Sequence, residues 1–165
     1  MLKRVYLEIT NMCNLSCSFC PGTKRKKHFM TVDEFSFLAG RLAGHTEYLY
    51  LHVMGEPLLH PDLQEVLHIA AGLGFKLCLT TNGTPLGHAL PTLLSARNLH
   101  KISVSLHSFE GNEGSGDLDE YVSQAARACA ALAERGVICA FRLWNESGKN
   151  EKNTQIFDIL SREFE

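Results

Sequence analysis

The regular alternation of short apolar runs with longer helix-like segments most constrains how this chain can fold. Runs rich in branched and aromatic residues predict five strands, at residues 5–10, 48–54, 76–81, 101–107 and 137–143. Between and after them, one helix is predicted to begin at Thr31, and further helices are predicted at residues 61–74, 86–96, 118–135 and 153–164. The first should begin with a capping box, because Thr31 is followed three residues later by Glu34. Strands alternating with helices lie parallel, so an α/β fold is predicted: a doubly wound open sheet or a partial (β/α) barrel.

Polar side chains gather near the carboxyl ends of all five predicted strands. They are Glu8, Thr10, His52, Glu56, Thr80, Asn82, Ser103, Ser105, His107 and Arg142. Carboxyl ends of parallel strands meet at one end of a sheet, so these groups favour a partial barrel with a polar ligand at its mouth. Any one of them could equally cap a strand end or bind water, and only the full set indicates a site.

Composition and charge exclude several classes of protein. The chain has 165 residues, of which 45% are hydrophobic and 21% charged, as in ordinary globular domains. Sixteen basic and eighteen acidic residues give a net charge of −2, so no nucleic-acid or membrane-surface partner is expected. No apolar run approaches the roughly 18 residues of a membrane helix. The first residues lack a signal-peptide pattern, so a cytoplasmic location with reduced thiols is expected.

Three of the six cysteines crowd into eight positions directly after the first predicted strand, as Cys13, Cys17 and Cys20. This C-x3-C-x2-C spacing favours a metal or cluster site over a disulfide. Such a loop can hold three irons of a [4Fe–4S] cube and leave the fourth open to a small molecule. Structural zinc, with His28 as the fourth ligand, is the alternative, because zinc loops use similar spacings.

The other three cysteines are scattered along the chain: Cys78, Cys129 and Cys139. They are expected to pack as small hydrophobic residues in the core.

The cysteine loop resembles the signature of the radical S-adenosylmethionine (SAM) superfamily, C-x3-C-x-aromatic-C, with Phe19 at the aromatic position. The resemblance continues in Gly55-Glu56-Pro57 after the second strand and in Thr80-Thr81-Asn82-Gly83-Thr84 after the third. The three motifs stand in order, each at the carboxyl end of a strand. The resemblance implies a TIM-barrel-like radical SAM core domain over residues 1–165. Five of the family's six β/α units are expected, without the sixth unit or a C-terminal substrate or auxiliary-cluster domain.

The resemblance also implies roles for individual residues. Cys13, Cys17 and Cys20 would hold the [4Fe–4S] cluster, and the amino and carboxylate groups of SAM would bind its fourth iron. Glu56 would lie near the SAM ammonium, Phe19 near the adenine, Ser105 or His107 near the ribose or substrate, and Arg142 near the SAM carboxylate. The full set of implied cofactor-binding residues is Phe19, Gly55, Glu56, Pro57, Asn82, Ser105, His107 and Arg142.

The implied reaction is reductive cleavage of SAM to a 5′-deoxyadenosyl radical that abstracts a hydrogen atom from a substrate. An electron donor such as flavodoxin or ferredoxin is expected. The sequence does not identify the substrate, and peptide modification is favoured only weakly. Two alternatives stay open. One is a non-catalytic zinc or iron–sulfur module, or an inactive truncated relative. The other, a doubly wound nucleotide binder, is disfavoured because the first strand leads into cysteines instead of a glycine-rich turn.

Two further segments carry weaker signals. Residues 24–28 form a basic run, which is either a solvated loop or an attractor for an acidic substrate, a phosphate or an electron-donor protein. Residues 111–116 are rich in glycine but lack a phosphate-loop pattern. They are predicted to form a flexible loop over the mouth of the barrel.

Overall fold

A computed structural model describes residues 2–112, 116–143 and 152–165. One sheet of five parallel strands has the order β1-β2-β3-β4-β5. The strands are β1 Val5–Tyr6, β2 Tyr48–Tyr50, β3 Lys76–Thr81, β4 Leu99–Ser105 and β5 Ile138–Arg142. The helices are α1 Val32–Leu42, α2 Leu63–Gly72, α3 Leu86–Ser95, α4 Leu118–Ala133 and α5 Asn153–Phe164. Each strand pairs with its neighbour in sequence, without the reversal of order found in doubly wound sheets, and this confirms the partial (β/α) barrel.

The first two strands end earlier than the sequence pattern predicts, at Tyr6 and Tyr50 instead of residues 10 and 54. Beyond those points the chain leaves the regular ladder and is held partly by side chains. The carboxylate of Glu8 accepts a hydrogen bond from the Met54 N–H at 2.8 Å. Thr10 forms only an isolated bridge with Phe29. The carboxyl ends of both strands are therefore loops that line the site.

Other element boundaries also differ from the prediction, most clearly those of β4 and α2. β4 begins at Leu99 and ends at Ser105, because Leu106–Ser108 turns into a short 3₁₀ helix that carries His107 out of the strand. α2 begins at Leu63, after the predicted start at Pro61. The N-cap residue Asp62 donates its N–H to His60 Nδ1 at 3.1 Å.

The predicted capping box at the start of α1 is confirmed. Thr31 Oγ1 accepts the Glu34 N–H at 3.2 Å, and Glu34 Oε2 accepts the Thr31 N–H at 2.8 Å. The bond that the carboxylate accepts from the Thr31 N–H, with a second from the Thr31 hydroxyl at 3.0 Å, lowers the pKa of the Glu34 carboxyl. The start of α1 is thus fixed just after the basic run, at the point where the chain returns from the cysteine loop.

The core lies between the sheet and the helices. Side chains on the helix-covered face of the sheet are fully buried: Leu49, Leu77, Leu79, Ile102 and Val104, and Ile9, beyond the end of β1, is buried with them. They pack with Phe35 of α1, Val66 of α2 and Leu93 of α3 in one continuous cluster. Cys78 and Cys129 are buried as predicted, and the half-buried Cys139 packs against the same cluster. No helix in the described ranges is long and apolar enough to cross a membrane.

Candidate active site

A cavity of about 590 Å³ opens at the carboxyl ends of the strands, a volume in the usual range for small-ligand sites. Its walls contain all three clustered cysteines and most of the other predicted site residues: Cys13, Cys17, Phe19, Cys20, Gly55, Glu56, Asn82, Ser105, His107 and Arg142. Pro57 is the exception. It is buried at the start of the short 3₁₀ helix Pro57–Leu59, where it shapes the turn after Glu56.

The three clustered cysteines are free thiols at the mouth of this cavity. The loop folds back on itself through a hydrogen bond from the Cys20 N–H to the Cys17 carbonyl at 3.0 Å. Cys13 Sγ accepts a hydrogen bond from the Leu15 N–H at 3.4 Å. Burial raises the pKa of the Cys13 thiol, against the effect of that hydrogen bond, so the thiol keeps its proton near neutral pH.

Gly55 brings the Gly-Glu-Pro motif against the chain that leads into Cys13. Its φ is +75°, and a Cβ built there would lie 2.6 Å from the Thr10 carbonyl oxygen and 2.8 Å from the Met12 carbonyl oxygen. The next residue, Glu56, donates its N–H to the same Met12 carbonyl at 2.7 Å. Glycine is therefore required at this position for both conformation and space.

Glu56 connects the second motif to the third. The residue is 1% exposed, and its carboxylate accepts the Leu58 N–H at 3.0 Å and the Asn82 N–H at 2.6 Å. Burial raises the pKa of Glu56, and the two backbone hydrogen bonds oppose that shift. Sequence reasoning missed this bridging role, because neither the spacing nor the motif indicates where the carboxylate finds its donors.

Asn82 connects the third motif to the cysteine loop. Its Nδ2 donates to Asn14 Oδ1 at 3.0 Å and lies 3.8 Å from Cys13 Sγ. The adjacent Gly83 has a φ of +85°, which turns the chain away from the end of β3. Asn82 is thus held at two points. Its backbone N–H is bound by the Glu56 carboxylate, and its side chain is bound by Asn14 in the loop that begins at Cys13.

The remaining predicted residues form the opposite wall of the cavity. The rings of Phe19 and His107 lie 5.0 Å apart, and His107 Nδ1 lies 3.1 Å from the Arg142 carbonyl oxygen. Burial is the main cause that lowers the pKa of His107. Ser105 and Arg142 are direct partners in the register of β4 and β5, so their side chains leave the sheet side by side.

Sequence reasoning also missed contacts made by Gly111 and Asn112, which it assigned to a flexible loop. Gly111 accepts the Ser18 N–H at 3.0 Å, and Asn112 Oδ1 accepts the Ser16 N–H at 2.9 Å. These two residues therefore dock on the cysteine loop. Residues 113–115 of the predicted loop, and residues 144–151 before α5, lie outside the described part of the chain.

The structure does not bring His28 to the cysteines in the way the zinc alternative requires. Its Nε2 lies 3.2 Å from Glu34 Oε2, on the first turn of α1. Among the described residues, no three Cys, His, Asp or Glu side chains are close enough to share one metal ion. A [4Fe–4S] cube makes a different demand, because each thiolate binds its own iron. Three free thiols around one polar-lined cavity fit a cluster with an open iron.

Comparison with known proteins places this site in a family. Residues 7–155 match the model of the radical SAM superfamily. The GTP 3′,8-cyclase of Chlorobaculum tepidum is 34% identical over 110 residues, which cover 64% of this chain and 33% of that protein. The AdoMet-dependent heme synthase of Methanosarcina barkeri is 30% identical over 102 residues, which cover 60% of this chain and 29% of that protein. The chain therefore spans about a third of the length of these relatives.

Solved structures show the same fold. The crystal structure of Streptococcus suis SuiB bound to S-adenosylmethionine has a TM-score of 0.73 at 16% identity, covering 98% of this chain and 38% of that one. BtrN in complex with AdoMet and 2-DOIA has a TM-score of 0.62 at 20% identity, covering 86% of this chain and 57% of that one. With the family match over most of its length and the three cysteines at one cavity, the chain belongs to the radical SAM superfamily.

Proposed function

We propose that this chain is the core domain of a radical SAM enzyme. Cys13, Cys17 and Cys20 hold a [4Fe–4S] cluster, and SAM binds in the adjoining cavity at the open iron. The observation that carries the proposal is the convergence of all three cysteines, Glu56 and Asn82 on one cavity. When bound, the two cofactors supply one-electron cleavage of SAM to methionine and a 5′-deoxyadenosyl radical, which takes a hydrogen atom from the substrate.

The chain's own residues hold SAM and orient it. Arg142 pairs with its carboxylate, Ser105 or His107 contacts the ribose or the substrate, and Phe19 lies along the adenine. The register pairing of Ser105 with Arg142 supports this, because one polar ligand can reach both side chains. Glu56 lies near the SAM ammonium while it continues to accept the Asn82 N–H. A carboxylate has about four acceptor positions, so it can do both.

The test is SAM cleavage by anaerobically reconstituted, reduced protein, measured as 5′-deoxyadenosine by mass spectrometry. Cys17→Ala should lose the cluster and the cleavage while keeping the fold. The matched control is Cys129→Ala, in the buried face of α4, which should keep both. Undiminished iron content and cleavage in Cys17→Ala would contradict the proposal. A single tightly bound zinc with no SAM affinity would favour the non-catalytic module instead.

Residues 1–165 are proposed to form one core domain, which the longer relatives extend. A wild-type chain that binds the cluster and SAM but forms no 5′-deoxyadenosine would mean that cleavage needs more than this domain.

The basic run is proposed as the docking site for an acidic electron donor such as flavodoxin or ferredoxin. Arg25 is paired with Glu8 at 2.6 Å, whereas Lys24, Lys26 and Lys27 are exposed, and Lys27 also lines the cavity. Replacing these three lysines with glutamate should slow cluster reduction by flavodoxin but leave reduction by dithionite unchanged. Arg135→Glu, after the end of α4, is the control for a general charge effect. Equal rates in all variants would contradict this docking site.

Peptide modification is the proposed substrate class. It is supported by the likeness to SuiB, which has also been solved bound to its precursor peptide SuiA, with a TM-score of 0.70 at 15% identity. The competing substrate to test is GTP, because a relative of this chain is a GTP 3′,8-cyclase. GTP should neither bind the reconstituted protein nor accelerate 5′-deoxyadenosine formation. Acceleration by GTP would contradict the peptide proposal.

A further inference from the structure

The segment after β4 is built against the cysteine loop. Gly111 accepts the Ser18 N–H at 3.0 Å, and a Cβ on Gly111 would lie 2.6 Å from the ring of Phe19 and 3.1 Å from Cys17 Cβ. The backbone at Gly111 therefore lies so close to the cysteine loop that a side chain at this position would collide with Phe19. This contact delivers the next residue, Asn112, to the middle cysteine.

The side-chain amide of Asn112 makes three hydrogen bonds, and together they fix its orientation. Its Oδ1 accepts the Ser16 N–H at 2.9 Å. Its Nδ2 donates to the Ser108 carbonyl at 2.8 Å and to Cys17 Sγ at 2.9 Å. A backbone N–H can only donate, and a backbone carbonyl can only accept, so Oδ1 must face Ser16 and Nδ2 must face Ser108 and Cys17.

The contact with Cys17 is the shorter of two side-chain amide contacts to the cluster cysteines in the described residues. Asn82 Nδ2 lies 3.8 Å from Cys13 Sγ, which is almost 1 Å longer than the separation between Asn112 Nδ2 and Cys17 Sγ. Both hydrogens of the Asn112 amide are used, one on the Ser108 carbonyl and one on the Cys17 sulfur. The amide oxygen is held by the Ser16 N–H. The donor is therefore in place before a cluster is bound.

We infer that Asn112 is a positioning residue that holds Cys17 and raises the reduction potential of the cluster through its hydrogen bond to the Cys17 sulfur. This inference rests on the proposed function. When the oxidised 2+ cluster gains one electron to become 1+, negative charge on its sulfurs increases. A fixed N–H donor stabilises the more negative state more strongly, and hydrogen bonds to sulfur are among the factors that set cluster potentials.

The test is an anaerobic redox titration of the reconstituted chain, with mediators as the electron source and the reduced cluster measured by electron paramagnetic resonance. Asn112→Asp keeps an acceptor for the Ser16 N–H but removes the donor to sulfur, and Asn112→Ala removes the donor without adding charge. At a fixed applied potential, both should lower the reduced-to-oxidised ratio, by about tenfold in Asn112→Ala, which is about 59 mV for a one-electron couple. Asn112→Asp should show a larger fall.

Asn14→Asp is the matched control, because it places the same charge beside Cys13 without removing the donor to Cys17. It should shift the ratio less than Asn112→Asp does. Wild-type potentials in both Asn112 variants, or equal shifts in Asn14→Asp and Asn112→Asp, would overturn the inference. Failure of the wild-type chain to take up a cluster would instead contradict the proposed function, and the inference with it.

A second measurement avoids variants that fail to bind the cluster. Wild-type protein labelled with ¹⁵N at its asparagine side chains should show nitrogen coupling to the reduced cluster in pulsed electron paramagnetic resonance. Absence of that coupling would overturn the inference, whatever the variants do.

Discussion

The two faces of the sheet are covered in different ways. On the helix-covered face, Leu79 and Ile102 are at most 1% exposed. On the open face, Tyr6 is 51% and Ile138 is 50% exposed, and the polar pair Thr80–His52 lies between them with Oγ1 and Nε2 2.9 Å apart. Helices remove one face from water, while the other remains accessible and leads to the cavity at the carboxyl ends of the strands.

The residues that stabilise the fold and the residues of the proposed site therefore lie on different faces of the same sheet. Burial of apolar surface supplies most of the favourable free energy of folding, and here it lies on the helix-covered face. The thiols and polar groups of the proposed site lie at the end of the open face and in the loops beyond it. Substitutions on the first face should lower the free energy of unfolding, whereas substitutions in the cysteine loop should remove iron and leave the fold intact.

The largest expected effect is on the helix-covered face. Ile102→Ala should lower the free energy of unfolding by about 3 kcal/mol, because it leaves a cavity in a fully buried position on β4. Ile138→Ala on the open face of β5 is the matched control, with an expected loss of less than about 1 kcal/mol. Urea unfolding followed by circular dichroism measures both. Equal losses would contradict the division between the faces.

Gly55 lies where the two regions meet, so its substitution should affect both. Gly55→Ala should lower the free energy of unfolding by about 2–3 kcal/mol and impair cluster uptake, because the new Cβ meets two carbonyl oxygens and the backbone has a positive φ. Gly44 has nearly the same φ, +77°, but open space around it. Gly44→Ala should therefore cost only about 1 kcal/mol. If both variants lost the same stability, crowding at Gly55 would have no role.

A smaller effect, dependent on pH, is expected from His52. Burial, with the charge of Arg142 as a second cause, lowers the pKa of His52 from 6.5 to about 4. The unfolded chain therefore binds this proton at a higher pH than the folded chain does. The contribution of neutral His52 to the free energy of unfolding is fully present above pH 6.5 and is lost as the pH falls to about 4.

The loss should be about 2 kcal/mol, since water reaches part of the ring and reduces the full effect. His52→Gln should flatten this part of the pH profile, while His45→Gln, at an exposed position before β2, should not. Unfolding free energies measured between pH 4 and pH 7 provide the test. Parallel profiles for wild type and His52→Gln would contradict the burial of His52.

The smallest effect on stability is expected in the cysteine loop. Cys20→Ala should change the free energy of unfolding of the iron-free chain by less than about 0.5 kcal/mol, because the side chain is exposed, and it should abolish the cluster. Cys129→Ala is the reverse case. It should cost about 1 kcal/mol in the core and leave the iron content unchanged. Iron analysis and unfolding of the same samples separate the two outcomes.

Much of this architecture could be predicted from local sequence patterns. Strand and helix periodicity predicted the five α-helices and the five parallel strands that the described residues contain. The spacing of Cys13, Cys17 and Cys20 predicted a metal or cluster loop after the first strand. The early ends of β1 and β2 could not be predicted, because the Glu8 carboxylate replaces a strand hydrogen bond with a contact to Met54, 46 positions away. Periodicity reports on neighbouring residues and contains no information about such distant side-chain partners.

The same limit applies to the site. The motifs indicated which residues belong to the site. They did not indicate which hydrogen bonds join one motif to another. Glu56 reaches the Asn82 N–H across 26 positions, and Asn112 reaches Cys17 across 95. Only the folded chain brings these groups together, so their roles became visible from geometry alone.

The most direct test of the central claim is electron paramagnetic resonance of the anaerobically reconstituted and reduced protein, with and without SAM. We expect a [4Fe–4S] signal that shifts when SAM is added, which would show an iron open to the cofactor beside Cys13, Cys17 and Cys20. A protein that binds zinc and takes up no cluster, or a cluster signal that SAM leaves unchanged, would contradict that claim.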